Sequence, residues 1–194
     1  MKFLLLALFI TVAFAQDDRE PCDSPPQWEG REFHIHYGEG GFTRIEKISY
    51  DETNERYRRI EEIEFYNHSR AYYDQLFIHK EQIGYSLNIR TRQCEKFPLT
   101  EPFQKNGVPE GATYLGTHYI GSSADPAYGV EVKEFSAYTE RGQFHGTFTV
   151  NGCVPISHSY QSTISGYRTT RYFDVTLGIQ DPNVFIPPKE CQEL

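Results

Sequence analysis

The sequence lacks several features that mark common classes of protein. No segment of ten or more residues shows a convincing helical period, so a helical domain is not expected. No apolar run after residue 15 reaches the length of a transmembrane helix, so no transmembrane segment is predicted. Nucleophile-elbow, P-loop, HExxH and papain-type cysteine motifs are all missing. The chain is therefore predicted not to be an enzyme.

Positive charge is also scarce. The 194 residues contain 19 Lys and Arg against 27 Asp and Glu, which gives a formal net charge of −8. Nucleic-acid binding requires a basic face, so no nucleic-acid partner is expected. An acidic surface is compatible with cations, mineral surfaces or basic partners, although a net charge of this size is also ordinary for solubility.

Cysteine is limited to four residues, but their setting is informative. The first fifteen residues carry one lysine and an apolar run that ends in Ala13-Phe14-Ala15. This pattern predicts a secretory signal peptide over 1–15 and leaves 16–194 as a single domain. The protein is then secreted and extracellular, or delivered to a lumen such as that of the lysosome. An even number of cysteines in an exported chain predicts two disulfides, and the residues alone leave all three pairings open: Cys22, Cys94, Cys153 and Cys191.

Aromatic residues, by contrast, are abundant, with 14 Phe and 14 Tyr. From residue 31 onward the apolar positions mostly alternate with polar ones, which is typical of half-buried β-strands. Residues 42–50 and 55–66 are predicted to form a hairpin, and proline and glycine make 95–111 a long connection. The pattern predicts nine or ten strands in an antiparallel sandwich or barrel.

The inward residues of such a fold either fill a dry core or line an apolar pocket, and both arrangements bury the same residue types. Alternation selects nine candidates for this pocket: Phe33, Ile35, Tyr85, Leu87, Ile89, Phe144, Phe148, Phe173 and Val175.

Other candidate sites are few. His34 and His36 share one face of a strand at a chelating distance, but no third ligand is evident, so no metal site and no cofactor are predicted. The acidic residues near Glu61 lack the motif of a calcium-binding loop. Asn67-His68-Ser69 is a sequon for N-glycosylation, which the predicted export makes usable.

Five short motifs in order carry a family resemblance. They are Cys22 to Gly30 (CDSPPQWEG), Tyr50-Asp51, Cys94 to Lys96 (CEK), Gly152 to Pro155 (GCVP), and Asp181 to Pro188 (DPNVFIPP) followed by Cys191. Together they resemble the ependymin family over essentially the whole of residues 16–194.

The resemblance implies two stacked, curved antiparallel sheets, a β-sandwich or half-open barrel, around a hydrophobic pocket similar to that of bacterial lipoprotein carriers. It implies the pairing Cys22–Cys153 and Cys94–Cys191. Vertebrate relatives carry a third disulfide whose cysteines this chain lacks, which favours an invertebrate-type member. The resemblance also implies a glycoprotein, in some members a homodimer, associated with extracellular matrix, anionic lipids or gangliosides, and calcium held through glycan acids.

Three functions are weighed on these grounds. The favoured one is a secreted, non-enzymatic carrier or sensor of a lipid or another hydrophobic ligand. The second is a structural protein of extracellular or biomineral matrix that acts through an acidic, glycosylated surface. The third is a lipocalin-like carrier, but lipocalins open with Gly-x-Trp, whereas this chain has Trp28-x-Gly30 and a proline-rich tail in place of a final helix.

Overall fold

The computed structural model describes residues 19–38, 40–164 and 166–192. The predicted signal peptide lies outside these ranges. The described residues form eleven strands: β1 Gln27–Tyr37, β2 Phe42–Asp51, β3 Arg56–Phe65, β4 Arg70–Ile78, β5 Ile83–Asn88, β6 Gln93–Pro98, β7 Thr113–Gly121, β8 Gly129–Thr139, β9 Gly142–Thr149, β10 Pro155–Ser162 and β11 Gly166–Leu177. Four short 3₁₀ helices are also present: His79–Glu81, Pro126–Tyr128, Pro182–Phe185 and Lys189–Cys191. Within the described ranges, no helix is long and apolar enough to cross a membrane.

The strands form one antiparallel sheet in the order β6-β5-β4-β3-β2-β1-β11-β10-β9-β8-β7. The predicted all-β antiparallel class is confirmed. The two predicted sheets are joined into a single ladder, because β1 pairs with β2 on one side and with β11 on the other. The ladder does not close into a barrel, since β6 and β7 lie at its two ends.

The predicted hairpin of β2 and β3 is confirmed, with Asp51 paired opposite Arg56. β6 was missed, because it is a six-residue strand at the sheet edge that ends in Pro98 and carries only weak alternation. A proline is tolerated at such an edge, where its missing N–H breaks no ladder hydrogen bond.

Two irregular segments cover opposite faces of the sheet. Residues 99–112 cross one face, which we call the loop face, where the Phe103 ring lies 5.5 Å from that of Tyr50. The C-terminal residues 181–192 lie against the other, the tail face, where Nη1 of Arg58 donates to the Val184 carbonyl at 2.8 Å. The first of these segments defines the boundary of the candidate site.

The loop face holds two apolar clusters. One consists of Trp28, Ile48, Tyr50 and Tyr172, and the other of Val108, Phe135, Phe144, Phe148 and Cys153. Trp28 and Phe135 are completely buried. Burial of each large side chain of this kind contributes about 1.5–3 kcal/mol relative to exposure. The first cluster draws on β1, β2 and β11, and the strand residues of the second lie on β8 and β9.

Both disulfides pin segments that lack regular structure. Cys22 is bonded to Cys153 and fixes the N-terminal arm beside the loop that follows β9. Cys94 of β6 is bonded to Cys191 in the last 3₁₀ helix, which holds the tail on the tail face. This is the pairing that the family resemblance implies.

Candidate functional site: a charged cavity on the loop face

A cavity of about 440 Å³ opens on the loop face over β1, β2, β10 and β11. Strand register brings its walls together, because His34 of β1 lies opposite Thr170 of β11, which lies opposite His158 of β10. The lining residues are Glu32, His34, Arg44, Arg141, His158, Tyr160, Arg168 and Thr170. Most of these side chains are ionisable, so the cavity is polar although the loop face also carries two apolar clusters.

Three glutamates lie side by side at one edge of the cavity. Glu32, Glu46 and Glu61 occupy directly opposed positions on β1, β2 and β3, and they are 8%, 2% and 4% exposed. Nη2 of Arg44 lies 3.1 Å from Oε1 of Glu46, and Nε of Arg59 lies 3.4 Å from Oε2 of Glu61. Buried charges are tolerated when they are paired in this way.

The arginines do not fully offset the effect of burial on the pKa of Glu32 and Glu61. Burial raises the pKa of Glu32 well above its usual value, and the charge of Glu46 and a side-chain hydrogen bond with it act in the same direction. Burial also raises the pKa of Glu61, although Arg59 and Arg44 oppose the shift. Glu32 therefore keeps its proton to a higher pH than an exposed glutamate does.

The two histidines of the cavity are uncharged at neutral pH. Burial, together with the charges of neighbouring arginines, lowers the pKa of His34 to about 3 and that of His158 to about 4. Nδ1 of His34 lies 2.9 Å from the Thr170 hydroxyl, and Nδ1 of His158 lies 3.1 Å from the Tyr172 hydroxyl. These contacts leave arginine as the source of positive charge in the cavity.

Arg168 has a buried Nε without a hydrogen-bond partner among the residues that the structure describes. The buried Nε of Arg44 also lacks a hydrogen-bond partner, but it lies 3.4 Å from Oε2 of Glu61 in an ion pair. Guanidinium groups bind carboxylates and phosphates through paired N–H donors. The cavity can therefore accept an anionic group although the whole chain is acidic.

A second cavity of about 890 Å³ adjoins the first beneath residues 101–110. The two share Arg141 and Tyr160 as lining residues, and Val108 and Pro109 contribute apolar surface to the larger one. Both volumes fall in the range of about 300–1,000 Å³ that is typical of small-molecule sites. Most of the lining of the larger cavity is polar, and it includes charged residues such as Asp23, Lys105 and Glu140.

The nine residues predicted to line a pocket do not share one. Six lie on the tail face, as strand register and alternation show: Phe33, Ile35, Tyr85, Leu87, Ile89 and Phe173. Phe144, Phe148 and Val175 lie on the loop face, where the two phenylalanines belong to a dry core cluster. Alternation within one strand does not show which face of the sheet a side chain shares with residues of other strands.

A β-bulge separates Phe173 from Val175. Asp174 has a φ of 53°, and the register with β1 shifts by one residue between Glu29 and Arg31. An extra residue in one strand reverses the alternation beyond it. Phe173 is consequently 49% exposed on the tail face, while Val175 packs against the Trp28 cluster.

His34 and His36 share one face of β1, as predicted. They lie on the loop face, where both rings pack against Phe42. Among the described residues, no group of three or more His, Cys, Asp or Glu side chains is arranged to hold a metal ion.

Sequence reasoning missed the charged residues that form the cavity. Glu32, Arg44, Glu46, His158 and Arg168 were not selected, because a charged residue in an alternating strand is by default assigned to solvent. One signal was available: on β2 the charged positions 44 and 46 share a face with Ile48 and Tyr50. A face that mixes charge with large apolar residues is consistent with a buried polar site.

The family model described as Ependymin matches residues 67–191, which is more than half of the chain. The chain belongs to the ependymin family. Among its relatives, mammalian ependymin-related protein 1 of Mus musculus is 30% identical over 176 residues, covering 89% of this chain and 77% of that protein. Ependymin-2 of Carassius auratus is 26% identical over 191 residues, covering 97% and 87%.

This ependymin-family chain also has the fold of a solved structure. An uncharacterized conserved protein from Thermus thermophilus superposes with a TM-score of 0.51, covering 86% of this chain and 87% of that chain. The sequences are 8% identical, so the likeness concerns the fold alone.

Proposed function

We propose that this ependymin-family chain is a secreted, non-enzymatic glycoprotein that binds a lipid or another amphiphilic ligand on its loop face. The observation that carries the proposal is the buried Nε of Arg168, which lacks a partner in a 440 Å³ cavity. A buried polar group left unpaired costs about 1–3 kcal/mol, and a bound anionic group removes that cost. Arg168 is accordingly assigned to the head group of the ligand.

The adjoining space supports an amphiphilic ligand. The 890 Å³ cavity begins at Arg141 and Tyr160 and continues beneath residues 101–110. Contacts between Phe103 and Tyr50, and between Val108 and the Phe135 cluster, anchor the covering loop at both sides. An apolar chain attached to a head group at Arg168 would extend along this loop, where Val108 and Pro109 offer apolar surface among polar lining residues.

The experiment combines native mass spectrometry with a fluorescent fatty-acid binding assay at pH 7. The protein purified from a secreting host is expected to carry or bind a lipid, and Arg168→Gln is expected to weaken fatty-acid binding roughly 10- to 100-fold, the usual effect of losing a charged hydrogen bond. Arg171→Gln is the matched control, because Arg171 lies on the same strand but is exposed on the other face. Absence of lipid together with absence of binding, or equal losses in both variants, would contradict the proposal.

Secretion and glycosylation at Asn67 belong to the same proposal, since both disulfides require an oxidising compartment and Asn67 lies at an exposed hairpin tip. The lysosomal lumen stays an alternative location. Homodimer formation, matrix association and calcium held by glycan acids stay predictions. Calcium titration before and after enzymatic removal of the glycan tests the last of them.

A further inference from the structure

The turn between β3 and β4 is rigidly built. The Phe65 N–H donates to the Ser69 carbonyl at 3.0 Å, and the His68 N–H donates to the Phe65 carbonyl at 2.8 Å. His68 adopts a φ of 62°, which turns the chain back into β4. Asn67 is therefore held at the tip, two residues after Phe65.

The side chain of Asn67 is oriented by its own sequon. Its Oδ1 accepts hydrogen bonds from the Ser69 N–H at 3.0 Å and from the Ser69 hydroxyl at 2.6 Å. Among the described residues, Nδ2 has no hydrogen-bond partner of its own. Nδ2 is the atom to which an N-linked glycan is attached, so the direction in which a first sugar leaves the turn is set by these contacts.

Asn67 is itself part of the lining of an apolar groove of about 450 Å³. It is lined by Gly40, Gly41, Phe65, Tyr66, Asn67 and Ser69. Phe65 is 36% exposed and Tyr66 is 56% exposed, so both rings present a surface to solvent.

Both rings are held in place. The Tyr66 hydroxyl donates to the His36 carbonyl at 3.2 Å. The Tyr66 ring also packs so closely on Gly41 that a Cβ atom at that position would lie 2.5 Å from the ring. The Phe65 ring packs edge-on against Phe42, with 6.4 Å between centroids. Ordered aromatic surface costs little further entropy when it is covered by a ligand.

We propose that the first N-acetylglucosamine of a glycan on Asn67 lies on Phe65 and Tyr66 in this groove, so that the glycan stabilises the folded protein. The face of a pyranose ring presents C–H groups, which are attracted by the negative face of an aromatic ring and shield it from water. The proposal rests on the glycosylation of Asn67 proposed above. The occupant is defined by its covalent attachment at the rim of the groove.

The test compares unfolding equilibria of the full chain in denaturant. Protein from a secreting host is trimmed with an endoglycosidase that leaves one N-acetylglucosamine, and it is compared with Asn67→Gln from the same host. The single sugar is expected to lower the unfolding equilibrium constant roughly 3- to 10-fold, the range of an aromatic contact. In the double variant Phe65→Leu/Tyr66→Leu, which keeps apolar bulk without rings, the sugar is expected to have no effect.

Tyr138→Leu is the matched control, because Tyr138 is 88% exposed on β8, far from the turn in the strand order. This variant is expected to keep the full effect of the sugar. An equal effect of the sugar with and without the two rings, or no effect in the wild-type chain, would overturn the proposed contact while leaving glycosylation intact. An intact mass that shows no sugar on Asn67 would overturn both.

Discussion

Replacing His158 by asparagine should change how the stability of this protein depends on pH. His158 lies on β10 between the rings of Phe144 and Tyr172, and its Nδ1 is bonded to the Tyr172 hydroxyl. Burial, with Arg141 and Arg168 nearby, lowers its pKa to about 4. Asparagine places a polar atom near the position of Nδ1 but cannot be protonated.

The size of the effect follows from linkage between protonation and folding. In the unfolded chain His158 has a pKa of about 6.5, so below that pH the unfolded state binds a proton that the folded state does not. Stability that is fully present above pH 6.5 is therefore lost as the pH falls toward 4. With a folded pKa of about 4, the loss between pH 8 and pH 5 is about 2 kcal/mol.

The assay is urea unfolding at several pH values from 5 to 8. Between pH 8 and pH 5, the difference in free energy of unfolding between wild type and His158→Asn is expected to shift by about 2 kcal/mol in favour of the variant. Any packing lost in the variant lowers its stability equally at all pH values and does not affect this shift. His145→Asn serves as control, because His145 is exposed on the neighbouring strand β9. Parallel curves for wild type and His158→Asn would refute the reasoning that a neutral histidine is buried in the cavity.

Two further predictions concern the segments that hold the fold together. Non-reducing peptide mapping should recover Cys22 linked to Cys153 and Cys94 linked to Cys191. Because the sequence separations are 131 and 97, loss of either bridge should cost about 5 kcal/mol in the chain-entropy model, measured by denaturant unfolding. Any other linked pair would contradict the arrangement. Arg58→Ala should cost about 3 kcal/mol in the same assay, because it leaves the buried Asp74 carboxylate unpaired. A cost below about 1 kcal/mol would show that Asp74 remains solvated.

The sequence predicts where the strands lie better than it predicts on which face of the sheet each side chain lies. Alternation located the β2–β3 hairpin because turn residues 51–54 interrupt two clear period-two runs. It placed Phe173 and Val175 on the same face, because the one-residue bulge at Asp174 cannot be recognised from the amino-acid sequence. Face assignment beyond an unrecognised bulge is reversed, and this reversal places Phe173 and Val175 on opposite faces of the sheet.

The charged residues of the cavity were missed for a different reason. Phe33 and Ile35 were assigned to the interior because they alternate with His34 and His36. In the folded chain Glu32 is 8% exposed, and it is buried by partners that are distant in sequence, such as Tyr172 opposite it on β11. No local pattern shows that such partners will meet, since burial of charge depends on long-range pairing.

The central claim is that Arg168 receives the anionic head of an amphiphilic ligand on the loop face. The most direct measurement is the ratio of dissociation constants for a long-chain carboxylic acid and for the alcohol of equal chain length, in wild type and in Arg168→Gln. Wild type is predicted to prefer the acid by at least roughly tenfold, the worth of one charge-assisted hydrogen bond, and the variant to lose most of that preference. An equal preference in both proteins, or no binding of either compound to wild type, would contradict the account.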